Sequence, residues 1–499
     1  MGVFDRIGSL FKGQEEFDLT AGGIGKPLFF LSMPIVVTNL FQTAYNLADT
    51  FWLGQYNTDA LAAISFAFPM VFLLISLGMG ISVAGSVLVA QFTGSGKERE
   101  AEYAASQTVT FAAIASVVLG GVGYVFVDQF LALMGASPDV LPLATQYMEV
   151  ISVGLLFMFG FAVFISLMRG YGDTITPMLV MFGSVVLNIV LDPFLIFGFE
   201  SNPLFSMLGL GGVEATLFAA TGYTGSGITG AAVATVFSRA LALVVGLAVM
   251  FRGTRGVQIH LRDMAPDLDY LRRLARIGVP ASIEGTGRAV SMNLLLFIVA
   301  SFSPAVVAGY GIGTRVFSVI FLPAIAVARG VETMTGQNIG AGKPDRAAAA
   351  AGLASKVLFG ILSVAGVVVW FAAAPIADVF TTDPAVVDVS ATFLRYVALT
   401  FGFIGIMRAF TGSLRGAGKT LTAAAISVLM LGVVRFPLAW LLSGPMAENG
   451  IWLSFAVSNV LGAAIAYGWY RRGTWRESDL TESSVDVEDT AVEGAPTDD

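Results

Sequence analysis

The sequence has no cysteine and a single histidine, His260. Without cysteine there is no disulfide framework, no thiolate nucleophile and no Cys-ligated zinc or iron–sulfur site. One histidine excludes multi-His metal centres and a Ser-His-Asp triad within the chain. Charge is also scarce: Asp, Glu, Lys and Arg make up 12% of the 499 residues, against roughly 25% in soluble globular domains. The net charge of −8 argues against nucleic-acid binding. Apolar residues take the place of charge, at 56%, with 39 Phe and 57 Gly spread along the chain. A surface this poor in charge does not face water, so the expectation is an all-α polytopic membrane protein and not an enzyme. Carboxylates inside the membrane are the chemistry that remains.

Twelve stretches are long and apolar enough to cross a bilayer core of about 30 Å, which takes roughly 20 helical residues. They lie near 28–54, 59–91, 101–127, 141–168, 175–198, 229–251, 271–301, 305–336, 347–373, 385–413, 421–443 and 447–470. Nineteen Lys and Arg residues, Arg169 and Arg415 among them, fall in the loops on the side of the N-terminus. The six connections on the other side, 199–228 being the longest, hold none. The positive-inside rule then makes the basic side cytoplasmic, with both termini there, in the plasma membrane. The acidity is concentrated at the end: nine Asp/Glu and no Lys/Arg from Glu477 to Asp499, which reads as a solvated, disordered tail. No apolar segment with a cleavage site opens the chain, so no cleaved signal is expected.

The chain is written twice. Pro34 and Pro280 are 246 apart, as are Gln91 of QFTGSGK and Gln337 of QNIGAGK, Pro138 and Pro384, and Arg169 and Arg415. After them the offset slips by two, so that LNIVLDP matches LGVVRFP. Six spans per repeat is an even number, so both copies enter from the same side, a recurring plan in transporters that bind substrate between the halves. The expected division is an N-terminal segment 1–27, an N-lobe 28–251, a polar linker 252–270 with the makings of a surface helix, a C-lobe 271–470 and the tail 471–499. The glycines of the two Q-x-x-G-x-G-K strings are expected to close helices. The string GSLRGAGKT imitates a phosphate-binding loop, but five residues separate Gly412 from Gly418 where the motif needs four, so ATP binding is excluded there.

Ionisable residues inside spans are functional candidates by default. Asp49 lies in the first span and Asp192 in the fifth, with Asn188 one turn before Asp192 on the same helix face. Such a group could hold a proton, or cage Na⁺ with oxygen ligands; the alternative is helix packing satisfied by local hydroxyls and backbone. In the second repeat their positions hold Leu295, Gly432 and Phe436, so a cation site here belongs to the N-lobe alone. Glu284 and Arg288, four apart in the seventh span, suit an internal ion pair or a second polar site that could serve the substrate. Glu332 follows Arg329 by three and reads as another pair, while Asp128 and Glu149 fall near a membrane boundary. Pro34 lacks an amide hydrogen and gives the first span a bend point, a hinge through which cation binding could move the helix.

The combination of PIVVTNLFQTAYNLADTFWLG, QFTGSGK, RGYGDT and NIVLDPFLIFG resembles the MATE family of multidrug and toxic-compound extruders, over about 28–470. The resemblance implies two six-helix lobes forming a V around a central cavity, and export of amphipathic, often cationic small molecules driven by H⁺ or Na⁺ influx. It implies no further cofactor, and a protein working as a monomer in membrane lipid. The acids of the first and fifth spans with an Asn resemble the DinF-like branch. That pattern adds Tyr147 and Thr235 as hydrogen-bonding neighbours of Asp49, Asn188 and Asp192. A NorM-type site is in doubt, because the tenth span offers Arg408 and no acid. A flippase of lipid-linked oligosaccharides, from the same superfamily, is the alternative, with second-lobe arginines serving its pyrophosphate.

Overall fold

The computed structural model describes residues 18–133 and 137–481. Residues 1–17, the turn 134–136 and most of the acidic tail, 482–499, lie outside them. Among the described residues every regular element is helical, as backbone groups in hydrocarbon require. Spans 1 to 6 are Gly25–Tyr56, Thr58–Gly94, Glu98–Leu133, Leu141–Tyr171, Ile175–Phe197 and Gly227–Arg252. Span 7 is Leu268–Val299, span 9 Pro344–Phe371 and span 12 Glu448–Arg471.

Two spans are broken and a third carries a π-helical stretch. Span 8 consists of Pro304–Ile320 and Leu322–Gly340, bent by 40° where Pro323 opens the second piece. Span 10 consists of Pro384–Ala398 and Phe401–Gly416, bent by 54°. Span 11 runs from Thr420 to Met446 through a π-helical stretch, Leu429–Arg435, immediately before Pro437. Such bulges accumulate at functional sites. Span 7 has too many charges to be read as a membrane span by hydropathy alone; it opens DYLRRLAR and carries Glu284 and Arg288. Its place in the repeat identifies it.

Helix ends follow local chemistry. The side chain of Asn57 caps span 2 through the amide of Ala60, Asp267 caps span 7 and Asp383 caps span 10. Gly172 ends span 4 in the left-handed region at φ 110°, which a side chain would resist.

Each lobe has its own apolar interior. Leu295, Phe393, Phe401, Trp452 and Phe455 lie in that of the C-lobe, while Leu88, Phe164 and Met168, with Met148 and Leu155 farther along, fill the N-lobe. Val117, Val125, Val364 and Phe371 are exposed and suit lipid. The lobes touch on the basic side. A Cβ on Gly80 would lie 2.3 Å from the Gly278 carbonyl oxygen, so spans 2 and 7 cross backbone to backbone there. Gly94 meets Gln337 and Gly340 meets Gln91 at 1.9 Å in the same sense. The side chain of Gln91 donates to the Gly416 carbonyl at 3.1 Å, and that of Gln337 to the Tyr171 carbonyl at 2.8 Å. The helix-closing role expected for these glycines is therefore divided. Gly96 and Gly342 do turn the chain with positive φ, whereas Gly94 and Gly340 permit the crossing.

The linker does not form the expected surface helix. It is an extended strap with one short 3-10 turn, Leu261–Asp263, because Gly253, Gly256 and Pro266 interrupt it. It lies along the start of span 3. Arg99 forms a fork to Asp263 with two 2.6 Å bonds, Gln107 donates to the carbonyls of Asp263 and Ala265, and Tyr103 donates to Asp267. Past span 12 the chain returns across the basic side. The amide of Leu480 donates to Gln91, Lys97 to the Thr481 carbonyl, and Arg273 to the Leu480 carbonyl.

Candidate functional site

Spans 1 and 5 pack side by side, and span 6 lies against both. This arrangement brings together the residues that the sequence singled out. Asp49, Asn188 and Asp192 are 5%, 0% and 0% exposed, well inside the N-lobe. The Asp49 carboxyl faces Asp192, Asn188 and Tyr45, and Asn188 donates to Asp192 at 3.1 Å. Tyr147 of span 4 is buried within electrostatic reach of both acids. Among the described residues, Oδ1 of Asp49, Oδ1 of Asn188 and Oδ2 of Asp192 have no hydrogen-bond partner. Buried oxygens are rarely left so. A proton between the carboxyls, or a cation held by the free oxygens, satisfies them, and two close carboxylates in an apolar bundle do not both carry full charge cheaply.

Thr235 is in the same region but acts one step removed: its hydroxyl bonds to the Tyr45 hydroxyl at 2.6 Å. Tyr45 was not singled out from the sequence. Tyr45 precedes Asp49 by one helical turn, a spacing that could have flagged it. The Arg239 guanidinium lies 4.9 Å over the Tyr45 ring and donates to Gln42 at 2.8 Å. It is a buried cation in electrostatic reach of Asp49, which offsets part of the negative charge that the cluster holds. Pro34 sits 15 residues before Asp49 in the same unbroken helix, and Thr38 donates to its carbonyl at 2.8 Å.

The second-lobe expectation needs correction. Glu284 makes no ion pair with Arg288. It is taken by Arg415 of span 10 at 3.0 Å and by Ser427 of span 11 at 2.9 Å. Arg415 also reaches Glu332 at 3.3 Å, and Arg329 bonds Glu332 at 2.9 Å as its spacing suggested. Arg169 and Arg415 are thus not loop residues. Both lie in the last turns of helices, those of spans 4 and 10, with Arg169 in electrostatic reach of Glu332. The counterparts of the N-lobe acids are apolar in part: Leu295 is core, and Phe436 packs against it. Beside Phe436, however, Arg435 donates to Ser458 and Asn459 and lies 4.2 Å over Phe455. Asp128 and Glu149 line an open cleft of about 600 Å³ with Thr145 and Gln146.

The MatE family model matches twice, over residues 34–194 and 280–441. The two matches begin 246 residues apart (280 − 34), the offset of the internal repeat. The chain belongs to the MatE family. It is a transporter and not an enzyme. Similar proteins include an FAD transporter of Shewanella oneidensis, 28% identical, covering 91% of this chain and 96% of that one. A probable multidrug resistance protein of Bacillus subtilis, YpnP, is 27% identical over 93% of this chain and 98% of its own. Among solved structures, the Vibrio cholerae MATE transporter VcmN in its bent form superposes with a TM-score of 0.80 at 22% identity, covering 92% of this chain and 98% of that one. The shared fold is twelve helices in two lobes forming a V.

Proposed function

We propose that this protein is a secondary active exporter of amphipathic small molecules, driven by inward movement of H⁺ or Na⁺ through the N-lobe. The basic side faces the cytoplasm, both termini lie there, and one chain in the plasma membrane is the working unit. One observation carries the reading: three buried oxygens of Asp49, Asn188 and Asp192 lack partners among the described residues, in a lobe whose repeat copy has no acids at those positions. Proton or Na⁺ binding relieves buried negative charge there and permits spans 1 and 5 to draw together. Tyr147 lines the site, and Thr235 fixes Tyr45 beside it. Pro34 leaves span 1 one backbone bond short, so the rearrangement can pass along that helix. Acids in the first and fifth spans are the DinF-like pattern. The relatives' names, FAD transporter and multidrug resistance protein, both fit an amphipathic substrate.

The test is transport in proteoliposomes with ΔpH and a Na⁺ gradient imposed separately. Wild-type protein is expected to move substrate under one of them, and Asp49→Asn under neither. Equal rates for Asp49→Asn and wild type would remove the site from the mechanism. Flipping of lipid-linked oligosaccharides is a second reading, favoured by the arginines that Glu284 and Glu332 leave unpaired.

A further inference from the structure

A second set of charges, from span 4 of the N-lobe and spans 7, 8 and 10 of the C-lobe, is not used by the coupling site. Arg169, Arg288, Arg329, Arg408 and Arg415 form one electrostatic network with Glu284 and Glu332. Five guanidiniums against two carboxylates leave an excess of three positive charges. Both acids are already engaged, Glu284 by Arg415 and Glu332 by Arg329 and Arg415. Among the described residues neither Arg288 nor Arg408 has an ion-pair partner, and Nε of Arg408 is buried with no hydrogen bond. Uncompensated charge inside a membrane protein is costly and marks a site or a pathway.

Arg288 has access to that path. Gly285, one turn earlier on the same face of span 7, packs against Ser76 of span 2, where a Cβ would lie 3.4 Å from that of Ser76. Arg288 is exposed. It therefore stands one turn past the Gly285–Ser76 contact between the lobes, accessible from outside the protein, with Arg408 in electrostatic reach. All five cations are Arg, whose planar fork suits phosphate and carboxylate oxygens.

We propose that the exported molecule is an amphipathic organic anion whose phosphate or carboxylate group is held by Arg288 and Arg408. The proposal rests on the exporter reading above and names its substrate class. It replaces the cationic substrate that the family resemblance implies. It also separates the two ligands by charge: the coupling cation binds at the acids of the N-lobe and the anion at Arg288 and Arg408 of the C-lobe, so neither occupies the other's site. A cation moving in and an anion moving out carry charge in the same direction. Such an exchange is driven by an inside-negative membrane potential, whereas exchange of one cation for another of equal charge is not.

The full chain, purified and reconstituted, is tested with FAD as the anionic probe, ethidium as the cationic one and farnesyl pyrophosphate as the lipid-borne anion. Wild-type protein is expected to bind FAD in a salt-sensitive way, with inorganic pyrophosphate competing, and to export it faster under a valinomycin-set inside-negative potential. Arg288→Gln and Arg408→Gln should each weaken binding at least tenfold, and Arg288→Lys should recover part of the loss, which a packing defect would not. Farnesyl pyrophosphate bound in place of FAD, with the same Arg288 dependence, assigns the anion to a lipid headgroup. Binding and gradient-driven export of ethidium alone overturn the inference and leave the exporter reading standing. So does anion binding that is unchanged in both Gln variants. Arg288-dependent anion binding without gradient-driven movement of any probe sustains this site and overturns the exporter reading instead.

Discussion

Asp49 and Glu284 are both acids buried in a membrane lobe, yet their surroundings give them different work. Asp49 faces another carboxyl, an amide and a hydroxyl, and keeps an oxygen free. Glu284 accepts from a guanidinium and from Ser427, which satisfies it. Replacing Asp49 or Asp192 by Asn keeps the size and removes a charge that burial already penalises. Each variant is expected to insert and unfold like wild type while gradient-coupled export falls to background, measured side by side in vesicles and by thermal unfolding in detergent. Glu284→Gln acts the other way. It leaves Arg415 with one acid and adds to the unpaired positive charge of its network. Breaking a buried pair from one side costs about 3–5 kcal/mol, so a lowered Tm is expected with ion coupling retained. A Glu284→Gln protein as stable as wild type but uncoupled would reverse the assignment of the two acids.

At the scale of elements, the features legible in the sequence were those that repeat or recur within one helix. Span 7 fails on hydropathy, but Pro280 stands 246 residues after Pro34 and places it. Asn188 and Asp192 share a face because they are one turn apart in a helix that is unbroken there. The Glu284–Arg288 pair was misjudged for the same reason: spacing along one helix cannot register a competitor from another. Arg415 is 131 residues further along and takes Glu284 first. The linker's polar pattern left a surface helix open because it says nothing about docking, which side chains of span 3 decide. That docking has its own pH dependence. Burial pushes the Asp267 carboxyl up, but the amide of Tyr270, the Tyr103 hydroxyl and the amide of Asp269 together hold it below its usual value. A lowered folded value stabilises the docked strap above the unfolded value, about 3.9, and the contribution is lost as pH falls through the folded one. Proteolysis within 252–267 is therefore expected to be flat from about pH 5 to 8 and to rise only in stronger acid. Tyr103→Phe should move that rise to higher pH, and an unchanged profile would show that Asp267 does not hold the strap.

For the whole molecule, the decisive question is whether the lobes must separate where they now touch. Backbone meets backbone at Gly80 and Gly278, and the two Q-x-x-G-x-G-K turns clasp each other through Gly94, Gly340, Gln91 and Gln337. The Ser282 hydroxyl donates to the Leu77 carbonyl beside the Gly80 crossing, and the close backbone approach means that the contact is made or broken as a unit and suits one of two discrete states. Substrate in the cleft reaches the basic side only if the contact opens. The sequence offers a clean way to ask, because it has no cysteine of its own. Ser76 and Gly285 face each other across the lobe boundary, with a Cβ on Gly285 placed 3.4 Å from that of Ser76. That is close to the roughly 3.5–4.5 Å between Cβ atoms of a disulfide. Ser76→Cys combined with Gly285→Cys is expected to cross-link under mild oxidation without disturbing the fold, detectable as a mobility shift after cleavage between the lobes. Oxidised protein should retain binding of substrate from the side opposite the basic one and lose transport; reduction should restore it, and neither single variant should respond to oxidant. Full transport by the cross-linked protein would mean that the clasp is scaffold and that substrate passes by movements within a lobe. The bend available at Pro34 and the breaks in spans 8 and 10 would then carry the change of access.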